Sequence, residues 1–268
     1  MTRYTALLIA WPLLFTACAP AAQEPQEQAA STEEAWISLF NGKDLADWTV
    51  KIAGHALGDN YANTFRVEDG LLKVSYDGYG PFGRQFGSLF YKDPFSHYRI
   101  RVTYRFVGDQ AAGAPDWGFR DSGIQLHCQS PQSMPVEQEF PVSVEINLKG
   151  GDGSAARPTG DVCTPGTYVV MNGELFTENC AETSTQTIHG DQWVTIEAEV
   201  RGGSSIKHIL NGEVIAAYEQ PQLDETSPDA QRLLASGSDP MLREGYISLQ
   251  SNSHPIEFST IEILLLEE

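Results

Sequence analysis

The chain of 268 residues is strongly acidic, with 17 Lys and Arg against 36 Asp and Glu and a formal net charge of −19. Such a charge repels nucleic-acid phosphates and anionic lipid headgroups, which argues against both as partners, whereas it says nothing about a neutral ligand such as a sugar. The 41% hydrophobic content is enough for one substantial core or two small ones.

The N-terminus has the pattern of an export signal. Arg3 precedes an apolar run at residues 6–15 that is too short to span a bilayer. Residues 1–17 are therefore predicted to be a signal peptide. Small residues before Cys18 resemble the lipobox of bacterial lipoproteins, although Phe15 stands where Leu is usual, and ordinary cleavage around Cys18 is the alternative. The favoured interpretation is an acylated Cys18 and an extracytoplasmic protein that is lipid-anchored to the bacterial outer membrane, its only association with a membrane.

The segment after Cys18 is predicted to be a flexible linker. It contains no large apolar residue up to residue 35 and is rich in Ala, Gln, Glu and Pro. Such a segment cannot bury enough surface to offset the entropy of ordering. We therefore predict an acylated cysteine and tether over residues 18–35, and a folded domain over residues 36–268.

Strand patterns dominate that domain. Residues 97–106 alternate without interruption, with Tyr98 and Ile100 on the inward side and Arg99 and Arg101 on the outward side. Asn211-Gly212 is the clearest two-residue hairpin turn. One short helix is predicted at residues 229–235. The other predicted strands are 65–67, 71–76, 123–128, 142–148, 193–200, 206–210, 213–218, 245–250 and 256–265. Many short alternating strands with no internal repeat indicate a single all-β antiparallel sandwich or barrel.

Three cysteines lie within the predicted domain. Cys163 and Cys180 flank a hairpin whose turn is Asn172-Gly173, so they are predicted to lie side by side and form a disulfide. Cys128 continues the apolar phase of its strand and is predicted to be a buried free thiol.

Polar residues recur on one face of three strands. Gln125 and His127 lie opposite the apolar positions of the first strand, Glu145 and Asn147 opposite those of the second, and Gln250 opposite those of the third, with His254 in the following turn. These side chains offer many directional donors and acceptors and include no Lys. Such a face is more typical of a surface that binds hydroxyl groups than of a merely solvated one.

Each candidate also has an ordinary structural interpretation. Glu145 could be a solvated surface acid, and His127 a hydrogen-bonded structural residue. His254 precedes a proline, so its role could be merely to shape the turn. Trp117 could belong to the core or stack on a sugar ring, and Arg120 could form a local ion pair with Asp121. No spacing in the sequence indicates a metal site, and the loop containing Asp152 and Asp161 lacks the acidic spacing of a calcium loop.

Several motifs in order resemble the 3-keto-disaccharide hydrolase domain family. They are WISLFNGKDL at 36–45, FRVEDGLLKV at 65–74, DSGIQLH at 121–127, VSVEIN at 142–147, HILNG at 208–212 and GYISLQSNSHPIEFSTIEI at 245–263. The resemblance covers essentially all of residues 36–268. It implies a concanavalin-like jelly-roll sandwich of two curved antiparallel sheets with a ligand groove on the concave face.

The reaction that the resemblance implies is cleavage of a glycosidic bond in a sugar oxidised to a ketone at C3. The ketone acidifies the C2 proton, so one base can drive elimination and water can add back, without a glycosidase pair of carboxylates. A divalent metal ion, or donors such as Arg and Gln, could stabilise the enolate; no cofactor follows from the residues themselves.

The same resemblance assigns roles to the polar residues. The acid/base candidates are Glu145 and His254, with His127 third, and the residues expected to bind the oxidised sugar are Gln125, Asn147, Gln250, Arg120, Asp121 and Trp117. A non-catalytic carbohydrate-binding module is the alternative. A laminarinase-like endoglucanase is rejected, because the strand around Glu145 lacks the further carboxylates that such enzymes carry.

Overall fold

The chain folds into two antiparallel β-sheets, seen in a computed structural model that describes residues 1–2 and 35–267. The predicted acylation site, Cys18, and almost all of the predicted signal peptide and linker lie outside the described residues, so those assignments stay predictions.

Seventeen strands and one α-helix form the described domain. The strands are β1 (Ile37–Ser38), β2 (Trp48–Ile52), β3 (Phe65–Glu68), β4 (Leu71–Val74), β5 (Gly87–Tyr91), β6 (His97–Phe106), β7 (Asp121–Cys128), β8 (Val144–Lys149), β9 (Asp161–Cys163), β10 (Thr167–Met171), β11 (Glu174–Phe176), β12 (Cys180–Ala181), β13 (Val194–Arg201), β14 (Ser205–Leu210), β15 (Glu213–Leu223), β16 (Tyr246–Ser251) and β17 (Ile256–Leu265). The helix α1 is Pro228–Ala235, and short 3₁₀ turns occur at Tyr61–Asn63, Asp116–Gly118 and Pro131–Ser133.

The two sheets differ in size and share one core. The larger has ten strands in the order β11-β10-β15-β14-β13-β6-β17-β4-β3, with β1 added on β17. The smaller has seven, in the order β12-β9-β8-β7-β16-β5-β2. Apolar residues of both sheets pack into a single cluster between them, to which β6 of the larger sheet contributes Ile100 and Val102 and β8 of the smaller contributes Val144 and Ile146. The predicted sandwich is confirmed.

Alternation along each strand decides which residues reach this core. In β6 every second residue is buried, from Tyr98 to Phe106, and the intervening arginines are partly exposed on the outer face. There Arg99 and Arg101 both pair with Glu197 of β13. The phase predicted for this strand is therefore confirmed.

Two-residue turns set the register of the hairpins. Asn211 and Gly212 join β14 to β15 with φ of 54° and 81°, and Asn172 and Gly173 join β10 to β11 with the same values. Positive φ at both turn positions is the geometry that matches the twist of the flanking strands, and Asn and Gly tolerate it. Both predicted hairpins form. The predicted short helix also forms, beginning at Pro228 and ending at Ala235. Within the described residues, no helix is long and apolar enough to cross a membrane.

Candidate functional site

The outward face of the seven-stranded sheet carries the polar residues that the alternation predicts. Ile146 and Leu148 of β8 point into the core, so Glu145 and Asn147 must point the other way. Glu145 lies opposite Gln125 of β7 on one side and opposite Cys163 of β9 on the other. The strand pairing therefore gathers on one surface polar residues that are far apart in sequence.

Glu145 is the centre of this surface, because three amides donate to its carboxylate. Asn147 Nδ2 donates to Oε1 at 3.2 Å, while Gln125 Nε2 and Gln250 Nε2 donate to Oε2 at 3.2 and 3.1 Å. The Gln125 amide is itself oriented, since its Oε1 accepts from the hydroxyls of Ser88 and Ser248 at 3.1 and 2.7 Å. The carboxylate is thus held in one place by a fixed hydrogen-bond network.

A second carboxyl, that of Asp121, belongs to the same network. Asn252 Nδ2 donates to Asp121 Oδ1 at 2.8 Å, and Asn147 Nδ2 lies 3.3 Å from the same oxygen. Asn147 therefore bridges Glu145 and Asp121 through one amide nitrogen. A guanidinium nitrogen of Arg157 lies 3.8 Å from the other oxygen of Asp121. The arrangement is a pair of buried carboxyls linked by neutral amides.

Burial raises the pKa of both carboxyls toward neutrality. Glu145 is 4% exposed, and burial together with the nearby charge of Asp121 raises its pKa to about 7, against the opposing effect of the three amide donors. Burial likewise raises the pKa of Asp121 to about 6, while the hydrogen bond from Asn252 opposes the shift. Carboxyls that titrate near neutral pH suit proton transfer, and such perturbed groups cluster at functional sites.

A groove with a volume of about 370 Å³ opens above these carboxyls. Its size is in the range of small-molecule sites. The lining residues are Trp117, Asp121, Phe140, Glu145, Asn147, Lys149, Cys163, Pro165, Asn179, Cys180, Gln250 and Asn252. The indole of Trp117 is 49% exposed and stacks on Phe86 with 5.3 Å between the ring centroids. A fixed and partly exposed aromatic face beside polar donors can stack on the apolar face of a sugar ring.

Five predicted ligand-binding residues lie at this site. Trp117, Asp121, Asn147 and Gln250 line the groove beside Glu145. Gln125 is fully buried and contacts the Glu145 carboxylate, which places it in support of that carboxylate rather than on the groove surface. The functional roles of these residues stay predictions.

His127 does not share this face, and its predicted position is wrong. Against β16, residue Tyr246 pairs with Cys128 and Ser248 pairs with Gln125, so β7 contains one extra residue at this point. The extra residue forms a β-bulge, and within it His127 adopts a φ of 50°. The imidazole Nε2 lies 3.0 Å from the carbonyl oxygen of Gly202, which follows β13 of the other sheet. Burial lowers the pKa of His127 to about 4, which favours the neutral imidazole at neutral pH.

The same bulge changes the side on which Cys128 lies. Its thiol is free and buried as predicted, but it does not continue the core phase. Its Sγ lies 3.4 Å from Ser248 Oγ, and it packs with Phe90 and Met134 in a small separate cluster. The alternation fails after residue 126 because a bulged residue shifts every following side chain to the opposite face.

Arg120 and His254 also lie away from the groove, contrary to their predicted positions. Arg120 donates to the carbonyl oxygen of Gly190 at 2.5 Å and pairs with Asp191 at 3.0 Å, not with Asp121. His254 is 1% exposed and packs edge-on against Phe106 and Phe119. Burial, and then the charge of Arg120, lower its pKa to about 4. Neither side chain lines the groove with Glu145.

Several groove residues were not among the predicted site residues. Asn252 lies two residues after Gln250, and Lys149 lies two residues after Asn147. The period-two alternation therefore indicated that both side chains belong to the polar face. Phe140, Pro165 and Asn179 come from connecting segments, where no period exists to find them. The predicted disulfide between Cys163 and Cys180 is confirmed and forms part of the groove wall.

The described residues contain no group of three or more His, Cys, Asp or Glu side chains that could hold a metal ion. At the groove, the amide nitrogens of Asn147 and Asn252 donate to the two carboxyls, and the amide oxygens of the same two residues are buried without a hydrogen-bond partner among the described residues.

The fold is a β-sandwich of two antiparallel sheets, and the candidate site is a polar groove on the outer face of the smaller sheet. The family of the 3-keto-alpha-glucoside-1,2-lyase-like domain matches residues 35–264. The chain belongs to this family, which confirms the resemblance indicated by the sequence motifs. The predicted fold class is confirmed by the two antiparallel sheets themselves. A comparison with curated proteins finds no match.

Two solved structures from Parabacteroides distasonis, both described as candidate glycosyl hydrolases, share the architecture. One is 18% identical, with a TM-score of 0.51, and the alignment covers 87% of this chain and 95% of that chain. The other is 17% identical, with a TM-score of 0.50, and the alignment covers 87% of this chain and 100% of that chain. At these identities the similarity shows the fold alone.

Proposed function

We propose that the protein cleaves the glycosidic bond of 3-keto-glycosides and 3-keto-disaccharides by base-initiated elimination, with Glu145 as the base. The observation that carries the proposal is a carboxyl at the floor of a sugar-sized groove, fixed by three amide donors and with its pKa raised to about 7. A base is most effective when its pKa is close to the working pH. Membership of the lyase-like family supports the choice of a 3-keto sugar.

The proposed reaction begins when Glu145 takes the proton from C2 of the sugar. The electron pair of the broken C2–H bond forms a C2–C3 double bond, and the carbonyl pair moves onto O3 as an enolate. When the carbonyl reforms, the pair shifts to C1–C2 and the C1–O bond breaks with its electrons on the leaving oxygen. The leaving oxygen takes its proton from water. Water added across the new double bond completes net hydrolysis.

The remaining groove residues support binding in this scheme. The indole of Trp117 offers a stacking surface, and Gln250 and Asn252 offer amides to hydroxyl groups. One disulfide in the domain is consistent with an extracytoplasmic location. We extend the proposal to a lipid-anchored protein that meets its oxidised carbohydrate substrate outside the cytoplasm, on the basis of the export signal and Cys18 pattern.

A carbohydrate-binding module without catalysis is the second candidate function. The exposed face of Trp117 beside polar groove residues favours it, because stacking and amide hydrogen bonds suffice for binding a sugar. The raised pKa of Glu145 is the observation that a binding module does not require.

Incubation of the protein with a 3-keto-disaccharide separates the two functions. We expect release of the second sugar as a free molecule and transient appearance of the unsaturated ketosugar. Mass spectrometry and ultraviolet absorbance measure these products. Parallel reactions with and without a chelator show whether a metal ion takes part. Saturable binding without product from a panel of 3-keto-glycosides would overturn the catalytic proposal and favour the binding module.

Gly123 offers a test of the Glu145 position that leaves every polar side chain intact. A Cβ at this glycine would lie 2.5 Å from the carboxyl carbon of Glu145, too close for the carboxylate to stay in place. We expect Gly123→Ala to lower kcat/KM at least about tenfold, because small displacements of a catalytic group are costly. Gly80→Ala is the matched control, since a Cβ there meets nothing within 4 Å. Equal kcat/KM for the two variants would show that the position of Glu145 is unimportant.

A further inference from the structure

Among the described residues that line the groove, Lys149 is the only one with a positively charged side chain. The guanidinium of Arg157 is nearby, but it donates to the carbonyl oxygens of Gly150 and Phe119 and lies beside Asp121 outside the lining. Arg120, the cation expected from the sequence, is held by Gly190 and Asp191. A single cation therefore faces a groove whose other charges are the carboxyls of Asp121 and Glu145.

The ammonium of Lys149 is held in a definite place. Its Nζ lies 2.6 Å from Oδ2 of Asp161, a residue of β9 that has no exposed surface. The other oxygen of Asp161 accepts from the backbone and the hydroxyl of Thr183 at 2.7 and 3.1 Å, so this carboxylate cannot rotate freely. An ammonium has three donors. In the described part of the chain, Nζ donates to Asp161 alone, which leaves donors for a bound molecule.

The register of the sheet places this ammonium on the same surface as the proposed base. Glu145, Asn147 and Lys149 are alternate residues of β8 and share one face. Asp161 lies opposite Asn147, so it draws the Lys149 side chain back along the strand toward Glu145. The floor of the groove thus carries a carboxyl at one end, an ammonium at the other and an amide between them.

We propose that Lys149 binds O3 of the 3-keto sugar and stabilises the negative charge that develops on this atom when Glu145 removes the C2 proton. This inference rests on the proposed function and names the group that the elimination still lacks. C2 and the carbonyl oxygen on C3 are separated by two bonds, so a base and a cation on one groove floor can contact both. An ammonium held near O3 before the reaction favours the enolate over the neutral ketone and therefore lowers the barrier.

Removing the charge without leaving a buried ion unpaired requires a double variant. Lys149→Met alone would leave the buried carboxylate of Asp161 uncompensated, which is strongly destabilising. Lys149→Met with Asp161→Asn removes both charges, and the amide oxygen of Asn can still accept from Thr183. The matched control is Lys207→Met with Glu199→Gln, which removes a lysine–carboxylate pair at 3.3 Å on the ten-stranded sheet.

We expect the Lys149 double variant to lower kcat for a 3-keto-disaccharide by about 100-fold, with a KM close to that of the wild type, because the charge on O3 appears only as the reaction proceeds. Lys149→Arg should lose less than about tenfold, since it keeps the positive charge. The control double variant should match the wild type. Full activity of the Lys149 double variant would overturn the role of Lys149 and leave the proposed function intact.

Hydrogen exchange at C2 measures enolate formation by itself. With 3-keto-1,5-anhydroglucitol, a ketone that has no exocyclic oxygen at C1, the wild-type protein in D₂O should introduce deuterium at C2, which NMR detects. The Lys149 double variant should exchange more slowly than the wild type, by the same factor by which its turnover is reduced. If Lys149 acted only on the departure of the leaving group, the exchange rate would not change. If the Lys149 double variant exchanged at the wild-type rate, the proposal would be contradicted. If the wild-type protein itself showed neither exchange nor turnover, the proposed function would be overturned as well.

Discussion

Replacing Glu145 with glutamine is expected to lower kcat/KM for a 3-keto-disaccharide by about 100-fold or more. The substitution keeps the size of the side chain and one oxygen that can accept from Gln125 and Gln250. It replaces the oxygen that accepts from Asn147 by an amide nitrogen and removes the group that accepts the C2 proton. Because the pKa of Glu145 is raised to about 7, kcat/KM of the wild type should also increase as the pH passes through this value. The glutamine variant should lack that increase.

Glu262→Gln serves as the control for this substitution, because Glu262 lies in β17 of the ten-stranded sheet and pairs there with Arg101. Its kcat/KM and pH profile should match those of the wild type. Wild-type activity in the Glu145 variant would remove Glu145 from the role of base, and an unchanged pH profile would assign the titrating group to another residue.

The same variant separates loss of catalysis from loss of folding. The pKa of Glu145 rises from 4.5 in the unfolded chain to about 7 in the folded one, so between these values the folded state binds the additional proton. The free energy of unfolding therefore falls as the pH rises through this window and stays lower above it. In the wild type, the size of the pKa shift corresponds to a loss of about 3 kcal/mol in the free energy of unfolding. The glutamine variant does not titrate and has no such loss. Its free energy of unfolding should therefore fall less than that of the wild type between pH 4 and pH 8, measured by denaturant unfolding.

The strand pattern of the sequence was enough to predict the sheet, its core face and most of its polar face. Period-two alternation in β8 identified Glu145 and Asn147, and the same rule identified Gln250 in β16. These predictions succeed because one face of each strand must be buried, which fixes the direction of every side chain. The same rule extended by two residues would also have found Lys149 and Asn252.

Alternation failed where the backbone departs from a regular strand. A bulge cannot be read from the residue types around His127, because its cause is the pairing of β7 with β16, far away in sequence. The predicted positions of His254 and Arg120 were wrong for a related reason. His254 follows β16 and Arg120 precedes β7, and contacts with Phe119 and Gly190, respectively, set the directions of their side chains. Loop residues such as Phe140 reach the groove only through tertiary packing.

Removing the disulfide is expected to destabilise the fold and to impair the groove. Cys163 and Cys180 are 17 residues apart in sequence, and closing a loop of this size restricts the unfolded chain by about 3 kcal/mol. For a domain of this size, the loss corresponds to a decrease in Tm of about 10 °C. We expect this decrease for Cys163→Ala with Cys180→Ala, measured by calorimetry, and for the wild type under reducing conditions.

The groove should respond because the bond lies beside the proposed base. Cys163 pairs with Glu145 across β8 and β9, and the short edge strand β12 has only two residues paired with β9. Without the disulfide, Asn179 and Cys180 lose the covalent link that holds this wall of the groove, so kcat/KM should fall about tenfold even well below Tm.

Cys128→Ala is the matched control for the redox effect, since this thiol is free and buried. The control variant should keep the sensitivity of the wild type to reducing agent, whereas the disulfide variant should be insensitive to it. If reduction left both Tm and kcat/KM of the wild type unchanged, the hydrogen bonds of Thr164 to the carbonyl oxygens of Glu178 and Asn179 would have to hold the groove wall by themselves. The disulfide would then be a feature of this edge of the sheet with no bearing on the position of Glu145.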